Sequence, residues 1–179
     1  MPNQAQTLAE QGKAEFQKKQ YAAAAAHFQQ CLDLLQTEGT STEVAEARNN
    51  LSVALLHSGN AQAALEAVLG TEETFALAGD QQKQGMALAN TGSAYEALKE
   101  YDLALEKYQL AVEVFKSCGE KQMRAITLRS ISDLQIKTGK QLNAVATLQS
   151  AYADKSGTSL KDRFFASALG KVVNALLGH

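Results

Sequence analysis

Asn50 and Asn90 share one register of a repeat, within "EARNNLSVALL" and "ALANTGSAYEA". Asparagine is a mediocre helix former, and its amide offers both a donor and an acceptor. Two such groups in register suit either an extended peptide backbone or a neighbouring helix. The other residues capable of chemistry are scattered. His27, His57 and His179 have no mutual spacing suited to a metal, and none shares a motif with a cysteine or paired carboxylates. Cys31 and Cys118 form no CxxC and no Cys/His cluster. No glycine-rich phosphate loop follows a strand, because no strand is predicted. The residues therefore predict no catalytic group, no cofactor and no metal site.

The elements that position these residues are legible from that repeat. Alanine recurs at 24, 64, 104 and 144, and glycine at 39, 79 and 119, always with a step of 40. The same step carries small residues at Ala5, Ala45, Gly85 and Ala125, and at Thr7, Ala47, Ala87 and Thr127. A fixed period between about 20 and 50 residues marks a stacked repeat array. Small residues at fixed positions have a packing reason: a larger side chain would push closely crossing helices apart.

Composition agrees with this. Hydrophobic residues make up 45% and charged residues 20% of the 179, which excludes wholesale disorder. Proline occurs once, at Pro2, where about nine would be average. A chain that keeps proline out of its interior preserves helical hydrogen bonds throughout, so the expected class is all-α. A net charge of -2 supplies no general reason to bind nucleic acid. Cys31 falls on a repeated core position, and neither cysteine suggests a disulfide scaffold, so a reducing compartment fits. The start "MPNQAQTLAEQGKAEF" lacks a basic stretch followed by an apolar one. No apolar run approaches the roughly 18 residues that a membrane span requires. A cytoplasmic protein is expected, with membrane binding disfavoured.

Each unit reads as two helices. Tyr101, Ala104, Leu105, Tyr108, Ala111, Val112 and Phe115 follow the i, i+3, i+4, i+7 rule. A short break, "LKEY", precedes them and aligns with "KKQY", "SGNA" and "TGKQ" in the other units. So short a break allows only an antiparallel helical hairpin. The glycine at each unit's far end is expected to be the left-handed residue that terminates a helix. Thr40 with Glu43 predicts a capping box, and Asp80 a further cap.

At these residues the chain resembles the tetratricopeptide repeat family. The third unit matches through Leu88, Gly92, Ala94, Tyr95, Tyr101, Ala104, Tyr108 and Ala111. The first matches through Leu8, Gly12, Ala14, Tyr21, Ala24, Phe28 and Leu32. The second departs at Arg48 and Ser52, and the fourth at Ser132, Leu134 and Gln141, so these two read as degenerate. The long repeat step is similar to that of spindle-orientation adaptors and kinesin light chains. The resemblance implies a right-handed α-solenoid of about four hairpins, at about 3–40, 41–80, 81–120 and 121–155. Residues 159–177 then form a C-terminal capping helix. Its apolar stripe, Leu160, Phe164, Ala168, Val172 and Leu176, could instead dimerise the chain, so a monomer or weak homodimer is expected.

In that family the first helix of each unit lines a concave groove. Carried over, the groove holds Lys13, Phe16 and Gln17, then Glu46, Asn49, Asn50, Val53, Leu56 and His57. The third unit adds Met86, Ala89, Asn90, Ser93 and Glu96. The fourth adds Ile126, Arg129, Ser130, Asp133, Ile136 and Lys137. In the adaptor subgroup the register of Asn50 and Asn90 forms an asparagine ladder along a bound peptide. The family's carboxylate clamp is largely absent, because Met86 and Asn90 replace the cations it needs. The implied function is a non-enzymatic adaptor that binds a protein or peptide in the groove. The alternatives are a self-assembling protein dimerising through its C-terminal helix, and a regulatory repeat domain sensing a small molecule.

Overall fold

The computed structural model describes residues 3–155, which form α-helices joined by short turns and contain no strand. The order is α1 (Gln4–Gln17), α2 (Tyr21–Glu38), α3 (Ser41–His57), α4 (Ala61–Val68), α5 (Thr71–Leu77), α6 (Gln81–Ala97), α7 (Tyr101–Ser117), α8 (Lys121–Lys137) and α9 (Gln141–Lys155). Helices that pack substantially against one another belong to the same unit or to adjacent units. That one-dimensional stacking makes an all-α solenoid. The expected capping helix at 159–177 lies outside the described residues. No helix among the described residues is long and apolar enough to cross a membrane.

The alanine column is where the helices of each hairpin meet. Ala24, Ala64 and Ala104 are fully buried, and Ala144 is 1% exposed. The neighbouring columns are buried as well, from Ala45 and Ala125 to Ala47, Ala87 and Thr127. Thr7, in the first unit described, is exposed.

The units differ in how they close the hairpin, and the difference alternates. In units one and three a glycine in the first helix receives an aromatic ring from the second. A Cβ on Gly12 would lie 2.7 Å from the Phe28 ring, and one on Gly92 would lie 2.7 Å from the Tyr108 ring. In units two and four that glycine is a buried serine whose hydroxyl donates across the hairpin. Ser52 Oγ reaches the Ala64 carbonyl at 2.7 Å, and Ser132 Oγ the Ala144 carbonyl at 3.0 Å. The residues in register with Phe28 and Tyr108 are the smaller Val68 and Leu148. The serine units therefore follow a second packing solution, and their departure from the signature is not decay.

The hairpin turns alternate in the same way. Their left-handed residue is Lys19, Gly59, Lys99 and Gly139, with φ of 62°, 88°, 65° and 76°. In hairpin closure and in the turn residue, units one and three thus form one pair and units two and four another.

Two expectations fail. The second helix of unit two is broken at Leu69–Gly70 into α4 and α5, with Gly70 left-handed at φ 81°. Arg48, standing in a column otherwise held by Leu8, Leu88 and Leu128, stabilises the break. Its guanidinium donates to the carbonyls of Leu69 at 2.8 Å and Glu66 at 3.3 Å, groups a helix end leaves unpaired. Thr71 Oγ1 donates to the Val68 carbonyl at 2.7 Å across the same break. Gly39 is the second failure: its φ is -90°, extended rather than left-handed. A Cβ there would sit 2.7 Å from the Leu35 carbonyl oxygen, so glycine serves close approach at that position. Gly79 and Gly119 are left-handed as expected, at φ 73° and 77°. The Thr40–Glu43 capping box forms, and Asp80 caps α6 through the Lys83 amide.

Candidate functional site

The first helices of the units, α1, α3, α6 and α8, stand in a row over a floor of second helices. Two clefts open in that row. The first, about 250 Å³, lies between α1 and α3 over Phe28, Cys31 and Leu35 of α2. The second, about 230 Å³, lies between α6 and α8 over Tyr108 and Phe115 of α7. Every residue lining the second cleft stands two repeat steps after one lining the first. Gln6 corresponds to Met86, Glu10 to Asn90, Glu43 to Met123, Glu46 to Ile126 and Asn50 to Ser130. The two clefts are one feature repeated at the two-unit period.

The gap between α3 and α6 is the intervening register, and polar contacts bridge it. Asn90 Nδ2 donates to Asn49 Oδ1 at 3.0 Å, and Lys83 Nζ donates to Glu46 Oε2 at 2.9 Å. Lys83 also lies 6.0 Å from the Phe75 ring centroid. The hydrogen bond from Lys83 to Glu46 raises the ammonium above its ordinary range, with burial working against it. This junction fastens the two halves of the array together.

The two clefts differ in chemistry. The rim of the first is charged: Glu10, Glu43, Glu46 and Lys13 line it, with Lys13 paired to Glu10 at 2.8 Å and Glu46 held by Lys83 from α6. Cys31 lies in its floor, and burial pushes the thiol up despite the nearby Lys13, the reverse of an activated nucleophile. The second cleft carries no formal charge and is lined by Met86, Met123, Ile126, Ala89, Ser93 and Thr127 among others. Ile126 is 49% exposed there. Buried Tyr108 presents its hydroxyl at the floor, donating to Glu96 Oε2 at 2.9 Å and lying 3.1 Å from Ser93 Oγ. Burial first, and the Glu96 carboxylate next, hold that hydroxyl well above the ordinary tyrosine range, so it remains protonated and a donor. Glu96 also accepts a hydrogen bond from Lys137. A shallow recess of Glu96, Ser130, Asp133, Ile136 and Lys137 continues from the second cleft.

The residues expected from the sequence separate accordingly. Lys13 and Asn50 line the first cleft, and Met86, Asn90 and Ser93 the second. Asp133 and Lys137 line the adjoining recess. Asn49 is 7% exposed and holds Asn90, so it belongs to the junction rather than to an open surface. Asn90 likewise spends its amide hydrogen on the neighbouring helix, the second of the two roles its register allowed. Phe16 and His57 fall outside both clefts. They join Tyr21 in a three-ring cluster, with His57 stacked on Tyr21 at 4.9 Å and Phe16 edge-on to each at 5.2 Å. That cluster fastens the first hairpin turn to the end of α3 and reads as packing. Val53 and Arg129 are half-buried and line neither cleft. Sequence reasoning missed the floor residues Tyr108 and Phe115, because it confined the site to first helices. The register of Phe28 with Tyr108 was the available signal.

No protein-family model matches the chain, and no curated protein matches it. Solved structures do. Aspartyl phosphate phosphatase F from Bacillus subtilis superposes with a TM-score of 0.77 at 16% identity. The match covers 97% of this chain and 48% of the phosphatase, so the chain spans about half that protein's length. The nearly identical TPR-like repeats of a Podosopora anserina protein named a putative kinesin light chain match with a TM-score of 0.56 at 16% identity. That match covers 99% of this chain and 97% of the other. BtubC (BKLC) from P. vanneervenii gives 0.61 at 13% identity, covering 94% and 79%. The chain has a tetratricopeptide-repeat-type fold. At these identities the likeness extends to the TPR architecture and no further, so function must be argued from the clefts.

Proposed function

We propose that this TPR-type solenoid is a non-enzymatic interaction scaffold that holds a peptide or helix of another protein across its row of first helices. The observation that carries the reading is the α6–α8 cleft. Uncharged, floored by two aromatic rings and rimmed by Met86, Met123 and Ile126, it suits an apolar side chain of a partner. Ser93 and Ser130 beside it offer polar contacts for the partner's backbone. A small-molecule sensor is the weaker reading. Both clefts, at about 250 and 230 Å³, and the recess of about 400 Å³ beside the second are open to solvent, whereas ligand pockets bury most of their ligand.

The test is affinity capture with the chain and with its Ile126→Glu variant. Ile126 is half exposed, so the substitution leaves the core untouched while placing a charge in the apolar cleft. Partners should be lost from the variant at unchanged melting temperature. Partners retained in full would place binding elsewhere on the molecule.

A further inference from the structure

The two clefts share one register and differ in charge, and both lie in the same row of helices. We infer that they act together as the two anchor points of a single linear segment of another protein. That segment carries two large apolar residues, the one for the α1–α3 cleft being flanked by lysine or arginine. The inference rests on the proposed scaffold function and specifies its partner. Each cleft has an apolar floor from a second helix, Phe28 and Leu35 in one and Tyr108 and Phe115 in the other, so each takes an apolar side chain. With Lys13 on Glu10 and Lys83 on Glu46, the α1–α3 rim sets three carboxylates against two ammoniums, and the remaining negative charge at Glu43 complements a basic flank. The α6–α8 rim has no charge and imposes no such preference.

The junction between α3 and α6 supplies the spacer. Because Asn49–Asn90 and Glu46–Lys83 bridge the intervening register, no third anchor enters there. The clefts are two helix-to-helix spacings apart, at least roughly 16–20 Å, since about 8–10 Å is usual for packed helices and only α3 and α6 pack closely. An extended chain covers that minimum in about five or six residues at about 3.3 Å each.

The experiment uses fluorescein-labelled peptides on a serine-rich background, with two leucines separated by three to nine residues. A lysine or a glutamate stands beside one leucine or the other, and binding is read by anisotropy against the full chain. Tightest binding is expected at a separation no shorter than about five or six residues, at least about tenfold above single-leucine peptides, because the second contact becomes intramolecular. Glutamate should weaken binding several-fold relative to lysine, and only at one of the two leucines. Glu10→Lys, at a side chain 72% exposed, should erase that preference without changing the spacing optimum. Ile126→Glu should reduce double-leucine peptides to single-leucine affinity. Affinity indifferent to spacing, or a charge preference that survives Glu10→Lys, overturns the two-anchor inference. If Ile126-dependent capture of partners persists in that case, the scaffold reading stands alone. Self-association abolished by Ile126→Glu would assign the α6–α8 cleft to a second copy of the chain and overturn the inference too.

Discussion

Exchanging the two hairpin solutions is the sharpest perturbation of the fold. Ser52→Gly removes a hydroxyl donating at 2.7 Å from a residue 1% exposed. The lost hydrogen bond costs about 0.5–1.5 kcal/mol. Glycine in place of serine inside a helix adds roughly 0.5 kcal/mol, and the void it leaves adds more. Val68→Phe, at a fully buried position, drives a ring toward the Ser52 side chain. At the equivalent place in unit one a Cβ would lie 2.7 Å from the Phe28 ring, so overpacking of about 1–3 kcal/mol follows. Together the two changes recreate the glycine–aromatic pair of units one and three, with the ring resting on bare backbone. The double variant should therefore cost less than the sum of the singles, with a coupling of about 1–3 kcal/mol. Thermal melts followed by circular dichroism check this, at roughly 2–4 °C per kcal/mol for a chain of this size. Hydrogen exchange on α3 and α4 gives the local value, since a repeat array need not unfold as one unit. Strict additivity of the two substitutions would refute the alternating-pair reasoning.

The remaining predictions concern turns, the broken helix and pH. Lys99→Gly should stabilise the chain by up to about 1 kcal/mol by relieving a left-handed residue at φ 65°, whereas Gly59→Ala at φ 88° should cost about as much; paired melts separate the signs. Arg48→Leu restores the leucine column but leaves the Leu69 and Glu66 carbonyls unpaired. It should cost roughly 1–2 kcal/mol, and exchange should accelerate first in α4 and α5. Lys83 is raised chiefly by the Glu46 hydrogen bond, so its contribution is complete below the ordinary lysine value of 10.5 and is lost as pH climbs through the folded value. Melting temperature should accordingly fall faster above pH 10.5 in the parent chain than in Glu46→Gln.

The period, the buried columns and the Thr40 capping box were legible because each is a local or strictly periodic signal. The two-unit alternation was not. Ser52 and Ser132 look like decayed glycines until the volume at Val68 and Leu148, on the second helix of each hairpin, is considered with them. The break at Gly70 depended on Arg48 reaching the carbonyls of Glu66 and Leu69 on the next helix, a contact no window of local propensity contains. Asn50 and Asn90 shared a register yet met different surroundings, because α3 packs directly against α6 while a cleft separates α1 from α3. Register specifies which residues face the row of first helices. Whether a gap between two of them stays open depends on side chains from three helices at once.

The chain contains three methionines, Met1, Met86 and Met123, and two of them line the α6–α8 cleft. Methyl-labelled methionine NMR thus reads that cleft directly. Titration with a partner segment recovered by affinity capture should shift or broaden the Met86 and Met123 methyl signals in step with binding. Saturated binding with both cleft signals unmoved would contradict the claim that this scaffold holds its partner there.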